Sequence, residues 1–344
     1  MEGLADDVAI EDLVVKSTVR NLEIPVVDVP TFLRNSWKKA PGATAIIDAA
    51  NGDRITCNQL EETAERIAAG FQDLGVKPGD TVAFVSSNSV DLVMALVATT
   101  LAGATIACAK ATFNEREIEA VLNLTKPSLV FCDMTSAEKA RKACQDVASV
   151  KVLVATGDCD GMVNFAKLKS TPRGRFTTPP CVGPDSIFTV FQSSGSTGLP
   201  KGSLITHRSF VAELVAFTYK NRSVRYSRVF LLYLPVMHAA PFWLLFMMLA
   251  QQVELVLPSP GDLNSILHLI EKYQVDNMFI YPTHALQIVQ RGLPPVIDIS
   301  SVRYVLIAGS SIPQQAMRAF AQLFNGCKII HGENFTLSPS QAGF

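Results

Sequence analysis

Twelve residues concentrate the chemistry that this chain could perform: Phe191-Gln192-Ser193-Ser194-Gly195-Ser196-Thr197-Gly198-Leu199-Pro200-Lys201-Gly202. From Ser193 onward the run holds three glycines, four hydroxyl side chains and one lysine. Glycine permits positive φ and lets backbone N–H groups approach an anion closely. Hydroxyls add donors, and a lysine supplies a mobile positive charge suited to phosphate oxygens. The combination predicts a loop wrapped around a polyphosphate. Gly/Ser-rich runs are commonly plain turns or linkers. This ordered run, however, is fixed between the strand-like Ser186-Ile187-Phe188-Thr189-Val190 and Ser203-Leu204-Ile205-Thr206, which argues against a linker. A Walker-type loop ends in Gly-Lys-Ser/Thr and enters a helix. Here Pro200 precedes Lys201, Gly202 follows it, and the next four residues read as extended, so the loop is of another kind.

Two further stretches hold polar groups at the ends of strand-like segments. Leu234-Pro235-Val236-Met237-His238 is followed by Ala239, Ala240 and Pro241. A lone histidine beside an apolar stretch is more often a satisfied core residue than a functional one. Ala308-Gly309-Ser310-Ser311 lies between a strand and a helix, where ligands of α/β proteins commonly bind. A structural alternative is that Ser311 caps the helix entered near Pro313.

The elements that must position these groups follow from periodicity. Asn58 to Leu74 carries Leu60, Ala64, Ile67, Ala68 and Phe71 on one helical stripe, with Gly75 as its stop. Ala45-Ile46-Ile47-Asp48 and Arg54-Ile55-Thr56 flank Asn51-Gly52-Asp53 as a hairpin. From Thr81 to Val154, and again from His207 to Ile330, short apolar runs alternate with helical ones. Repeated β–α units of that length specify an α/β fold with mainly parallel sheets and helices on both faces. The rhythm is lost over 157–185, which reads as a connector. The expected division is 1–25 extended lead-in, 26–156 first αβ subdomain, 157–185 connector, 186–332 phosphate loop and second αβ subdomain, and 333–344 an atypical tail.

Bulk properties exclude several classes. The 30 Lys and Arg nearly balance the 31 Asp and Glu, without a basic stripe, so nucleic acid is not an expected partner. The seven cysteines are dispersed without a CxxC or Cys/His cluster, which points to reduced thiols and away from a zinc site. Cys108 and Cys132, at strand positions, read as core fillers. The acidic N-terminus lacks the features of a signal peptide. The most apolar window, Val229 to Ala250, is interrupted by Pro235, His238 and Pro241, and reads as strand, loop and buried helix rather than a membrane span. Oligomeric state is not readable.

The run Ser193 to Gly202, followed by Thr206-His207, resembles the phosphate-loop signature of the adenylate-forming superfamily, which includes acyl-CoA synthetases, 4-coumarate–CoA ligases and beetle luciferases. The resemblance extends from about Phe32 to Gly332 and implies two stacked αβ subdomains, the large domain of that fold. It also implies an ATP-dependent, AMP-forming acid–thiol ligase acting on an aryl or fatty acid, with ATP, Mg2+ and coenzyme A as co-substrates or cofactors. By that resemblance Ser193, Ser194, Gly195, Ser196, Thr197 and Gly198 contact the β- and γ-phosphates, with Thr197 nearest the metal. Lys201 would neutralise charge as pyrophosphate departs, while Mg2+ would bridge phosphate oxygens and keep most of its waters. His238 would help to place the carboxylate, with Ala239, Ala240 and Ser310 beside the acid. Gly309, Ser310, Ser311, Gly332 and Thr336 would border the nucleotide.

Departures from the family pattern are concentrated at the end of the chain. The family reads Gly-Tyr-Gly-x-Thr-Glu where this chain reads Gly332-Glu333-Asn334-Phe335-Thr336-Leu337. Leu337 cannot ligate a hard cation. The family's ribose-binding aspartate, hinge and small C-terminal domain with its lysine have no counterpart before Phe344. The ending Ala342-Gly343-Phe344 is not a peroxisomal tripeptide, so a cytoplasmic location is expected. Two alternatives accompany the ligase reading: an inactive ATP- and acyl-binding fragment with a regulatory or interaction role, and a luciferase-like oxidase. A dinucleotide-dependent oxidoreductase is disfavoured, because no GxGxxG follows the first strand.

Overall fold

A computed structural model describes residues 8–11, 14–17, 22–172, 174–179, 183–193, 201–220, 227–258, 261–294 and 296–332. Its strands are β1 (Val8–Glu11), β2 (Val14–Ser17), β3 (Thr44–Asp48), β4 (Arg54–Thr56), β5 (Thr81–Ser86), β6 (Thr105–Lys110), β7 (Leu129–Cys132) and β8 (Val152–Ala155), followed by β9 (Val163–Asn164), β10 (Ile187–Ser193), β11 (Lys201–Thr206), β12 (Val229–Leu231), β13 (Glu254–Leu257), β14 (Asn277–Ile280), β15 (Tyr304–Ala308) and β16 (Lys328–Gly332). Its helices are α1 (Val29–Trp37), α2 (Cys57–Asp73), α3 (Val90–Leu101), α4 (Glu115–Thr125), α5 (Ala137–Ala143), α6 (Phe165–Lys169), α7 (His207–Lys220), α8 (Ala239–Gln251), α9 (Leu263–Tyr273), α10 (Pro282–Arg291) and α11 (Gln314–Leu323).

Two seven-stranded sheets run in the orders β11-β10-β6-β5-β7-β8-β9 and β16-β15-β14-β12-β13-β3-β4. All neighbouring pairs in them are parallel except β10–β11 and β3–β4. Strand periodicity sorts side chains between layers, because successive residues point to opposite faces. Val82 and Phe84 enter the core between the sheets, whereas Ala83 and Val85 face α4 and α5 outside the first sheet. Ile46 and Phe230 likewise point into the central layer, and Ile47 and Leu231 outward to the layer of α9, α10 and α11. Helices α3 and α8 are buried along almost their whole length between the sheets, which explains why both are apolar all round.

The sheets do not follow the linear division expected at 157–185. Strands β10 and β11 return to the first sheet through the β10–β6 pairing, and β3 and β4 join the second by pairing Ile46 with Leu255. Nor is the connector irregular throughout, since β9 and α6 lie within it and α6 buries Phe165 and Leu168. The expected extended lead-in contains a two-stranded antiparallel hairpin, β1–β2. The helix expected from Asn58 starts one residue earlier, fixed by a capping box: the Thr56 side chain accepts from Gln59 N–H, and the Gln59 side chain accepts from Thr56 N–H.

Within each sheet the chain leaves a central strand, pairs on one side, then crosses to the other. The orders β6-β5-β7 and β13-β12-β14 both contain this reversal. Adjacent connections then diverge above and below the sheet, opening a crevice at the carboxyl ends of the strands. Asn88, just after β5, ties the two sheets together at this edge. Its side-chain amide donates to Leu234 O at 2.8 Å and accepts from Val236 N–H at 2.8 Å.

Candidate functional site

Two cavities open at the carboxyl edges of the sheets, and His238 lines both. The first, about 460 Å3, sits at the β12/β14 reversal and is bordered by His238, Ala239 and Ala240 after β12, Tyr281 after β14, and Gly309 and Ser310 after β15. The second, about 360 Å3, lies where the ends of β5 and β6 face those of β12 and β13. The sequence therefore brings residues more than 70 positions apart into one wall, and does so through strand ends alone.

His238 is half-buried and N-caps α8 with extended backbone, φ −98° and ψ 147°. Its side chain makes no capping hydrogen bond. Half-buried on the wall of both cavities, it is not the enclosed core histidine that its apolar neighbours would suggest. Burial, and after it the positive charge of Lys110, lowers its pKa, so at neutral pH the ring is an uncharged imidazole. The amides of Ala239 and Ala240 precede the first intrahelical bond, Phe242 N–H to His238 O, and Pro241 has no N–H to offer. A helix N-terminus of this kind favours an anion.

Behind His238 stands a row of aromatic and imidazole rings. The His238 and Tyr281 centroids are 6.5 Å apart; Tyr281 stacks on His284 at 5.9 Å and 29°. Tyr233 Oη and His284 Nδ1 share a hydrogen bond of 2.9 Å. Burial pushes the Tyr281 phenol up to about 12 and raises Tyr233 as well, and it lowers His284. All three side chains thus stay neutral near pH 7. Gly309 has φ +108°, and a Cβ there would lie 3.2 Å from the Tyr281 ring. Glycine is what lets the turn after β15 pass so close to that ring.

Of the residues expected from sequence, His238, Ala239, Ala240, Gly309 and Ser310 meet in the 460 Å3 cavity. Gly332 ends β16 beside Ala308, one residue from Gly309. Ser311 is exposed and does not cap α11, whose N-cap is Pro313 without a side-chain bond; the capping alternative is corrected, because the helix starts too late for Ser311 to reach it. Lys201 is exposed at the start of β11, opposite Ser193, and lines neither cavity. Ser194, Gly195, Ser196, Thr197, Gly198 and Thr336 lie outside the described residues, as does the side chain of Ser193. Among the described residues no group of three or more His, Cys, Asp or Glu is placed to hold a metal ion, and the metal expectation at Thr197 lies outside them. His207, which follows Thr206 in the phosphate-loop signature, is a core residue: it is 1% exposed and its Nδ1 accepts from Val29 N–H at 3.1 Å.

Sequence reasoning missed Lys110, Tyr233, Tyr281 and His284. Each stands at, or within four residues of, the end of a parallel strand, and that position was the available signal.

The sequence pattern of the family described as AMP-binding enzyme matches residues 33–332. Parsley (Petroselinum crispum) 4-coumarate–CoA ligase 1 is 25% identical over 333 residues, covering 95% of this chain and 60% of that protein. The chain spans about 60% of the length of the curated relatives it matches. A luciferase-like enzyme from the nonluminescent mealworm Zophobas morio superposes with a TM-score of 0.83 at 24% identity, covering 93% of this chain and 75% of that one. A long-chain-fatty-acid–CoA ligase from Archaeoglobus fulgidus gives 0.84 at 18% identity, covering 93% and 66%. These two structures establish the shared fold, with its two mainly parallel sheets. From the match over 300 consecutive positions it follows that the chain belongs to the AMP-binding enzyme family.

Proposed function

We infer that this chain activates a carboxylic acid with ATP, forming an acyl-adenylate for transfer to a thiol such as coenzyme A. The observation that carries the reading is the cavity at the β12/β14 reversal, where His238, the first amides of α8 and Ser310 converge in a chain of this family. In the first step a carboxylate oxygen bonds to the α-phosphorus of ATP and the bond to pyrophosphate breaks. In the second, a thiolate sulfur bonds to the acyl carbon and AMP leaves.

The residues support that chemistry in separable ways. The N-terminus of α8 attracts the carboxylate. An uncharged His238 can donate one N–H to orient it without cancelling its charge, which preserves its nucleophilicity; an imidazolium would blunt it. Ser193 to Gly198 and Lys201 are proposed to hold the triphosphate, where Lys201 would offset charge on the departing pyrophosphate and a bound Mg2+ would supply further positive charge.

Pyrophosphate release by the purified chain with ATP, Mg2+ and a panel of acids tests this reading. Release should depend on the acid, and His238→Ala should lower it by about 100-fold through lost positioning. Release without an acid, or an unaffected variant, would contradict the assignment. A chain that binds ATP and acid yet releases nothing is an ATP- and acyl-binding protein. Light on adding ATP and luciferin would favour the luciferase-like oxidase.

A further inference from the structure

The 360 Å3 cavity carries a charge pattern that adenylation alone does not require. Lys110, the last residue of β6, is the only charged side chain lining it among the described residues. Its ammonium lies 5.4 Å from the centroid of the Phe113 ring, and no described carboxylate is within ion-pair distance of it. The two histidines of the wall, His238 and His284, are neutral through burial. Gln287 adds a neutral donor, and Leu263 and Ile266 an apolar flank. A single cation at the edge of a part-apolar pocket, ringed by neutral donors, complements an anion at the end of a short hydrocarbon chain.

We propose that this cavity receives a second anionic group of the acid: the chain selects diacids whose remote carboxylate pairs with Lys110 while the reacting carboxylate lies at His238. The inference rests on the acid-activating reading of the neighbouring cavity. At about 30 Å3 per water in the liquid, the space admits on the order of ten non-hydrogen atoms, which suits several methylenes and a terminal carboxylate. The phosphates of a thiol co-substrate carry similar charge, so the test must separate the two sources.

Calorimetric titration of the full chain without ATP compares adipate with hexanoate, which has the same carbon count and one charge fewer. Adipate should bind at least about tenfold more tightly, the margin of one charge-assisted hydrogen bond. Lys110→Met should abolish that margin and leave hexanoate unchanged, and Lys110→Arg should retain it, with circular dichroism reporting the fold of both. Equal affinities for the two acids in the unaltered chain would overturn the proposal even if Lys110→Met does not fold. A margin that survives in Lys110→Met would also overturn it. So would a variant that loses affinity only for coenzyme A, since that assigns the lysine to the thiol's phosphates. An adipate margin without pyrophosphate release would refute adenylation and spare this site; acid-dependent release without the margin would do the reverse.

Discussion

Gly309→Ala should weaken acid binding as well as stability, and the two effects can be separated. Gly309 has φ +108°, and a Cβ would sit 3.2 Å from Cδ1 and 3.5 Å from Cε1 of Tyr281. The backbone conformation alone costs a non-glycine residue about 1–3 kcal/mol. The contact adds a second effect, because the ring must retreat by a few tenths of an ångström from the cavity wall. Gly326→Ala supplies the control, with φ +90° and nothing within 4 Å of the added carbon. At roughly 2.1 cal/mol/K per residue, the 344-residue chain has an unfolding entropy of about 0.7 kcal/mol/K. Either substitution should therefore lower Tm by about 1.5–4 °C. Calorimetric titration with an acid then separates them: Gly309→Ala should bind several-fold more weakly, and Gly326→Ala as the unaltered chain does. Identical acid binding by both variants, with both destabilised, would refute the role of the Tyr281 ring as a ligand surface. An unchanged Tm in both would refute the backbone argument itself.

Asn88→Ala removes the partners of Leu234 O and Val236 N. Losing both bonds at the junction of the sheets should cost about 2–4 kcal/mol, read as a lower denaturant midpoint; an unchanged midpoint would mean that the sheet ends are held by other contacts. His207 should make stability fall in acid. Burial lowers its pKa to about 4, with the Asp28 carboxylate raising it partly back. Between its ordinary value near 6.5 and that figure the unfolded chain binds the proton and the folded chain does not, so stability is lost as pH falls through this window. The full loss is about 3 kcal/mol below pH 4. Denaturant curves at pH 7 and pH 4 should show that extra loss in the unaltered chain and not in His207→Asn; parallel behaviour of the two would contradict it.

The parts of the fold legible in sequence are those with a local cause. The helix at Cys57–Asp73 shows its apolar stripe and its Thr56/Gln59 capping box within three turns, and the hairpin at Asn51-Gly52 shows its turn. Pairing of β3 with β13 has no local signature, because Ile46 and Leu255 meet only when the chain between them has folded. The two-residue β9 and five-residue α6 are too short for periodicity to register. At the site, His238 and Gly309 were visible through motif and strand-end position. Lys110 and Tyr281 were not, since a lysine or tyrosine after a strand reads equally as surface or core until the opposing sheet is in place. His207 misleads in the other direction: its place in a signature run suggests chemistry, while its Nδ1 serves the backbone of Val29.

The most direct measurement is transfer of label from α-32P-ATP into an acyl-adenylate by the 344-residue chain, with Lys201→Ala run beside it. A labelled mixed anhydride should form only with acid present and fall sharply in the variant. Label found solely in AMP, in equal amounts with and without acid, would contradict adenylation.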